Sequence, residues 1–462
     1  MNVMKKFISL VLLAFIGQAV QAASDEANYL SIDPFYIEPG EVVTVNLNLI
    51  NSGNICAYQT DLVLPEGLNV NVKKAGTIVL ESGISALGDR TYGYVLHKVS
   101  STEQADGSMR ILCYSDQNAC YTGNEGAVAS ISIIADGSVQ AGVYEVKLKN
   151  SEVTFDSGDL YNPKEYLSSS VVGVTSGECL TLAGAYHEEA IAVMNEALAG
   201  KSGINVIDMK GVTTFGGEVN VDGNPNTLIY SSAEIGVTND KNVVVGGTCN
   251  NLVLTDGYVF SAPTSFSASL ASYERKLAEG KYGTIVLPFA PNTDDYEFYA
   301  LTSVGDDVLI FDEVQSPVAN TPYLYKLRDG KLATQIINNE VAVSSELTLT
   351  EKVAWQMVGS FTNQTIVTSE DKDKYYYAYT SSDNKIHQVT NTLTVKPYRA
   401  YFTTSRSEVA QLAVRTRNGE ETLIDAAEVE DLCPEIYYDL SGRRVDNPVK
   451  GIYIVNGKKV VF

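Results

Sequence analysis

Strict alternation of apolar and polar residues is the feature that most limits how this chain can fold. The clearest run has apolar Val43, Val45, Leu47 and Leu49 separated by polar Thr44, Asn46 and Asn48. Residues 129–133 and 144–148 repeat the pattern, and turn sequences such as EPGE, NSGN and LPEG separate the runs. A period of two places alternate side chains on opposite faces of a β-strand. The sequence therefore predicts a mainly β chain that begins with an antiparallel β-sandwich over residues 28–175.

The rest of the chain divides where this pattern changes. Ile191, Met194 and Leu198 have helical spacing, which predicts a short helix between Gly184 and Lys201. Short apolar runs continue to residue 262, so residues 184–262 are predicted to form this helix and a small β-solenoid-like connector. Strand signals over residues 265–416 predict a second β-sandwich. Residues 417–434 are acidic and predict a linker, and residues 435–462 predict a C-terminal β-hairpin tail.

Length and charge limit the classes of function. The chain has 462 residues, which is too long for one hydrophobic core, and its formal net charge is −23. Such a charge repels the phosphates of nucleic acids and anionic membrane surfaces. We therefore expect no nucleic-acid partner.

The first residues have the three parts of a secretory signal. Lys5 and Lys6 precede an apolar run over residues 7–16, and small residues follow up to Ala22 and Ala23. The apolar run is about half the roughly 20 residues needed to span a bilayer. The sequence predicts a signal peptide over residues 1–22, cleaved between Ala22 and Ala23. The mature chain would then have no transmembrane segment and be secreted or lie on the outer cell surface.

Three regions of the sequence resemble known families. IEPGEVVTVNLNLINSGNICAYQTDLVLPEGLNV, SMRILCYS and AVASISIIADGSVQAGVYEVKLKN resemble the cohesin-type β-sandwich, which several bacterial carbohydrate-binding modules share. Cohesins bind a dockerin, a small calcium-loaded module, but no residue set of that interface carries over to this chain. NPNTLIYSS, NLVLTDGYVFSAPTSF and GTIVLPF resemble a module of secreted Bacteroides and Prevotella proteins. The last segment, with DLSGRRV and KGIYIVNGKK, resembles the sorting signals of type IX secretion in Bacteroidetes. Together these resemblances imply a secreted, multi-domain Bacteroidetes protein.

The chain lacks the usual sequence signatures of catalysis. His97, His187 and His387 lie far apart in sequence, and no G-x-S-x-G elbow is present. A glycoside hydrolase needs two carboxylates that face each other across the substrate, and the sequence does not single out such a pair among 56 acidic residues. These enzymes also commonly line their clefts with tryptophan, and Trp355 is the one tryptophan of the chain. The sequence therefore predicts a protein that is not an enzyme.

Candidate site residues fall into three groups. Tyr375, Tyr377 and Tyr379 could stack on sugar rings, although alternating tyrosines are also ordinary strand residues. Asn220, Asp222 and Asn224 have the alternating oxygen spacing of a calcium loop, and the alternative is a plain turn without metal. No other cofactor is expected. Cys113 and Cys120 flank a short polar stretch and could form a disulfide; alternatively, the cysteines are free thiols in the core.

These observations favour a non-catalytic secreted or cell-surface binding protein. Its β-sandwich domains would recognise a polysaccharide or another surface protein. One alternative is a structural or adhesive subunit of a surface assembly, and another is a polysaccharide-degrading enzyme. The oligomeric state remains open at this point.

Overall fold

A computed structural model of the protein describes residues 28–91, 97–232, 235–275, 280–352, 355–368, 373–405 and 410–417, together with the backbone of four short strands near the C-terminus. The described part is mainly β, with one α-helix. The prediction of the fold class is confirmed. The predicted signal peptide, its cleavage site at Ala22 and Ala23, and nearly all of the acidic linker lie outside the described residues.

The first sandwich is built from two sheets and a small hairpin. Its strands are β1 (Tyr29–Ile32), β2 (Phe35–Ile37), β3 (Val42–Ile50), β4 (Ile55–Val63), β5 (Leu68–Val70), β6 (Lys73–Ala75), β7 (Ile78–Glu81), β8 (Ile84–Ala86), β9 (Lys98–Glu103), β10 (Met109–Tyr114), β11 (Ala127–Ala135), β12 (Gly142–Phe155), β13 (Leu160–Tyr161) and β14 (Tyr166–Val172). One sheet has the order β1-β3-β11-β5, with β8 also beside β11. The other has the order β2-β14-β12-β4-β10-β9, with β13 also beside β12. All pairs are antiparallel except β2 with β14.

Alternation along the strands fills the space between these two sheets. Leu47 and Leu49 of β3 are fully buried and pack in one core with Ile111 of β10 and Leu148 of β12. The polar residues between them face outward, as the period of two requires. The burial of apolar side chains from both sheets therefore holds the sandwich together.

The connector contains four parallel strands that are stacked in the order of the sequence. It contains β15 (Val174–Ser176), β16 (Cys179–Ala185), α1 (Glu188–Leu198), β17 (Val206–Thr214), β18 (Leu228–Ser231), β19 (Val243–Val245), β20 (Thr248–Thr255) and β21 (Phe266–Glu274). β16, β17, β18 and β19 pair in parallel, which is the predicted solenoid-like arrangement. Helix α1 covers this stack with buried Ala190, Met194 and Leu198. Gly246 (φ 57) and Gly247 (φ 80) form the tight turn from β19 to antiparallel β20.

Buried asparagines fasten the parallel strands at one end. Asn242 directly precedes β19, and its side-chain amide donates to the carbonyl oxygen of Pro225 at 2.9 Å and accepts the main-chain N–H of Val253 at 2.8 Å. Asn226 is fully buried, and its amide nitrogen lies 2.8 Å from Oη of Tyr398. These amides replace the hydrogen bonds that irregular backbone would otherwise lose on burial.

The predicted second sandwich is one sheet of ten strands. The strands of this region are β22 (Tyr282–Ile285), β23 (Tyr296–Val304), β24 (Val308–Glu313), β25 (Tyr323–Leu327), β26 (Gln335–Val343), β27 (Thr350–Lys352), β28 (Trp355–Ser360), β29 (Gln364–Val367), β30 (Tyr375–Thr380), β31 (Lys385–Val389), β32 (Thr392–Val395), β33 (Arg399–Thr404) and β34 (Gln411–Arg417). The sheet order is β22-β25-β23-β24-β34-β31-β30-β33-β28-β27. Phe311 of β24 and Phe402 of β33 contact each other edge to face across a shared core, so the two halves of one sheet form the two layers.

Two strands of the predicted second sandwich belong to the connector sheet instead. β21 and β26 complete that sheet in the order β15-β16-β17-β18-β19-β20-β21-β26. Side chains of this sheet and of the ten-stranded sheet also share one core, which includes Val244, Phe289 and Tyr325. The connector is therefore continuous with the region of the predicted second sandwich, because β26 from that region pairs with β21 of the connector.

Near the C-terminus, four short strands form a sheet of their own. These are β35 (Tyr437–Tyr438), β36 (Arg444–Val445), β37 (Ile452–Val455) and β38 (Lys458–Val461), in the order β36-β35-β37-β38. All its pairs are antiparallel, and β37 with β38 is the predicted hairpin.

Candidate functional site

The outward surface of the seven-stranded sheet in the first sandwich is the candidate site, and we call it the binding face. It is defined by the outward residues of β14, β12, β4, β10 and β9. The strand register places Thr102, Arg110, Asp61 and Lys149 in one row across it. The next row holds Ser100, Leu112, Gln59 and Glu152, and beyond it Lys98 pairs with Tyr114 and Ala57 pairs with Thr154. Neighbouring strands lie about 4.8 Å apart, so these five strands span about 19 Å.

Apolar side chains are exposed on this face. Leu112 and Tyr114 are each 38% exposed, while Ile111 and Cys113 between them are fully buried. Leu167 of β14 is 51% exposed, and Lys147 of β12 lies beside it in the register. Side chains of this size that stand on the surface of a sheet expose apolar area to water, which a partner could cover.

A fixed group of charges lies beside these apolar side chains. Arg110 donates two hydrogen bonds to the carboxylate of Asp61, at 2.7 and 2.9 Å. Asn150 donates a third to that carboxylate at 2.9 Å. The hydrogen bonds from Arg110 hold the pKa of Asp61 below its usual range. Lys149 donates to Asp106 at 2.7 Å and holds the pKa of that carboxyl low as well. Asp61 itself is buried, so of this pair the face presents the partly exposed Arg110, which bidentate pairing restricts to one orientation.

Sequence reasoning did not nominate Leu112 and Tyr114. In MRILCY apolar residues occupy both faces of the strand, which is a signal that part of the outer face is apolar. The sequence does not show which of the two faces packs in the core, so the exposed residues could not be named.

Of the predicted sugar-stacking tyrosines, Tyr377 has no accessible ring, whereas for Tyr375 and Tyr379 the role stays a prediction. Tyr377 is fully buried, and its ring centroid lies 4.8 Å from that of Trp355. Tyr375 and Tyr379 are partly buried and pack against the same core. The three side chains share the inner face of β30, because residues two apart in a strand point the same way. They contribute burial energy to the ten-stranded sheet.

The candidate calcium loop has its side chains in other contacts. Oδ1 of Asn220 accepts the main-chain N–H of Asp222 at 2.9 Å, and Oδ1 of Asn224 accepts that of Asn226 at 3.0 Å. The Asn224 amide nitrogen donates to Oδ1 of Asn205 at 2.7 Å. Asn224 is buried whereas Asp222 is exposed. These are the local bonds of asparagine turns, and a calcium site here stays a prediction.

The disulfide pairing predicted between Cys113 and Cys120 is wrong. The structure joins Cys56 to Cys120, and Cys113 is a free, buried thiol 3.1 Å from Oη of Tyr121. Burial raises the pKa of the Cys113 thiol. Cys113 lies in β10 and Cys56 in β4, so the loop before Cys120 folds back to a strand that is distant in sequence.

Arg90 supports the loops beside this disulfide. It is 5% exposed, and its guanidinium donates to the carbonyl oxygens of Leu49 (2.6 Å), Thr122 (2.8 Å) and Gly123 (2.8 Å) and to Oδ1 of Asn51 (2.6 Å). Main-chain and amide oxygens thus take the place of a carboxylate around this buried cation. Its role is to fix the loops in position.

One further apolar group is exposed in the first sandwich. Ile78, Val79 and Leu80 of β7 are 65%, 52% and 64% exposed. β7 pairs with β6 alone in the described part of the chain, so the hairpin has open edges.

Among the described residues, no three His, Cys, Asp or Glu side chains are grouped so as to hold a metal ion. No helix of the described ranges has the length and hydropathy needed to cross a bilayer.

Comparisons with known proteins gave structural similarities to cohesins. No family model matches the chain, and no curated protein matches it. A cohesin module of a Clostridium perfringens family 33 glycoside hydrolase is 12% identical, with a TM-score of 0.25, over 32% of this chain and 96% of that one. A cohesin in a Clostridium thermocellum cohesin–dockerin complex is 15% identical, with a TM-score of 0.26, over 32% and 99%. The seventh ScaB type I cohesin of Pseudobacteroides cellulosolvens is 18% identical, with a TM-score of 0.25, over 32% and 92%.

Proposed function

We propose that this chain is a non-catalytic binding protein whose first sandwich binds a protein partner through the binding face. The observation that carries the proposal is the placement of exposed Leu112 and Tyr114 beside the ordered pair of Arg110 and Asp61. Protein interfaces combine apolar anchors with polar groups that fix orientation, and tyrosine and arginine are enriched in them.

A protein fits this face better than a polysaccharide does. A long polysaccharide on an open sheet surface is usually held by stacking on several exposed aromatic rings, whereas the rows of this face hold Tyr114 and otherwise aliphatic, polar and charged side chains. The face carries charges of both signs and is about 19 Å across its strands, which suits a small folded partner.

We also propose that the protein works outside the cytoplasm, as a secreted or cell-surface protein. Disulfides persist in oxidising compartments, which the bond between Cys56 and Cys120 supports. The signal-like residues 1–22 and the sorting-signal-like residues 435–462 are consistent with export by a Bacteroidetes cell. Sequencing of the secreted protein should find Ala23 as its first residue, and a chain that keeps Lys5 and Lys6 would contradict this.

The binding face can be tested with matched variants. Leu112→Lys is expected to weaken capture of surface proteins from the producing cell by about tenfold or more, because it puts a charge where an apolar anchor packs. Leu332→Lys is the control, since Leu332 is 91% exposed in a different region. Equal capture by both variants would contradict the proposal.

A structural role in a surface assembly is the second candidate. The exposed residues Ile78, Val79 and Leu80 on the open β6–β7 hairpin favour it, because open strand edges with apolar side chains promote association between copies. Analytical sedimentation at increasing protein concentration tests this role. A molecular mass that rises with concentration, and that no longer rises in Val79→Lys, supports it. A protein that stays monomeric at every concentration contradicts it.

A further inference from the structure

A cleft at one end of the first sandwich is separate from the binding face, and we call it the loop-end cleft. Its walls are two loop segments, residues 51–54 between β3 and β4 and residues 119–124 before β11, and it is open to solvent, with a volume of about 540 Å³. This volume lies within the range of small-molecule sites, about 300–1,000 Å³. The cleft is therefore large enough for one small ligand.

The lining of the cleft is neutral and has polar and apolar parts of similar extent. Side-chain amides, hydroxyls and main-chain groups form the polar part, Ala119, Cys120 and Tyr121 add apolar surface, and none of the lining residues is Asp, Glu, Lys, Arg or His. Ser52, Thr122 and Asn124 are exposed, and none of the hydrogen bonds of the described residues uses their side chains. These groups can each donate and accept hydrogen bonds. The cleft thus offers unused hydrogen-bonding capacity without charge.

The two walls are held rigidly together. Asn51 N–H donates to the carbonyl oxygen of Asn124 at 2.8 Å, and Tyr121 N–H donates to that of Ile55 at 2.8 Å. Behind the walls, Arg90 bonds to Asn51 of one segment and to Thr122 and Gly123 of the other. The disulfide between Cys56 and Cys120 adds a covalent link. A preorganised site of this kind loses little conformational entropy when a ligand binds.

We propose that the loop-end cleft binds a short neutral oligosaccharide through Ser52, Thr122 and Asn124. Sugar hydroxyls both donate and accept hydrogen bonds, which matches hydroxyl and amide side chains. A net charge of −23 disfavours an acidic sugar. An extended peptide would be recognised by an open strand edge, whereas these walls are loops. The site is independent of the binding face.

Titration calorimetry of the full chain against neutral trisaccharides, namely cellotriose, xylotriose and mannotriose, tests this proposal. At least one of them is expected to bind at millimolar concentration or below. Thr122→Val and Asn124→Ala are each expected to weaken binding about fivefold, the loss of one hydrogen bond. Ser265→Ala, an exposed serine outside both sites, should leave binding unchanged.

Thermal unfolding of each variant checks that its fold is intact. Because the side chains of Ser52, Thr122 and Asn124 make no hydrogen bonds to other described residues, their replacement should leave the melting temperature unchanged. The proposal is overturned if none of the trisaccharides binds, if a bound sugar is insensitive to both cleft variants, or if an acidic sugar or a peptide competes more strongly than every neutral trisaccharide. Loss of partner capture in Leu112→Lys with intact sugar binding would separate this site from the binding face.

Discussion

Removal of the disulfide between Cys56 and Cys120 should destabilise the first sandwich by a calculable amount. The two cysteines are 64 residues apart in sequence. In the chain-entropy model, a closed loop of this length lowers the entropy of the unfolded chain enough to stabilise the fold by about 4 kcal/mol at 25 °C. Cys56→Ala opens the loop and should cost about that much.

Hydrogen exchange of the β11 amides, read by mass spectrometry, measures this cost locally. These amides are central in their sheet and exchange only when the sandwich opens. A cost of about 4 kcal/mol lowers their protection about a thousandfold. Cys113→Ala is the control, because it removes a free thiol and keeps the disulfide. In this variant, added reductant should still break the disulfide and lower the protection of the β11 amides.

Pairing of Cys113 with Cys120 would give the opposite pattern. Cys113→Ala would then abolish the effect of reductant, and Cys56→Ala would leave it in place. Either result would refute the assigned disulfide and the reasoning about the loop-end cleft that uses it.

Three further predictions concern stability. Asn226→Ala should cost about 2–3 kcal/mol in urea unfolding, because it leaves buried main-chain groups without partners; a cost below about 0.5 kcal/mol would contradict the role of this amide. Arg399→Met should cost about 2 kcal/mol, since it removes a bidentate pair with Asp256 at 2.7 and 2.8 Å; unchanged stability would contradict it. Arg110 lowers the pKa of Asp61, so the stability from this pair is present above about pH 4 and is lost as the pH falls through the lowered pKa. Asp61→Asn should therefore reduce the fall in the free energy of unfolding at acidic pH. An unchanged pH dependence would contradict this.

The sequence was most informative where one physical signal determines the structure. Alternation from Val43 to Leu49 predicted β3 because only a strand places every second side chain in a core. Helical spacing predicted α1 for the same kind of reason. The return of β26 to β21 could not be predicted, since strand pairing between distant segments depends on tertiary contacts rather than on local pattern.

The candidate site was less accessible to sequence reasoning. Alternating tyrosines identified β30 but did not show that Tyr377 faces the core. Proximity in sequence favoured Cys113 as the partner of Cys120, whereas the fold brings Cys56 to it. Asn226 and Asn242 resemble turn residues in sequence, and the contacts of their side-chain amides follow from the stacking of strands. Each of these features depends on which distant segments meet.

Site-specific photo-crosslinking tests the central claim most directly. A benzophenone amino acid replaces Leu112 on the binding face in one protein and Leu332 in another, and each is irradiated with intact producing cells. We predict a discrete, saturable adduct from position 112 that excess unlabelled protein suppresses and that Arg110→Glu abolishes, with no such adduct from position 332. Equal adducts from both positions, or an adduct unaffected by Arg110→Glu, would contradict the proposal that this face binds a protein partner.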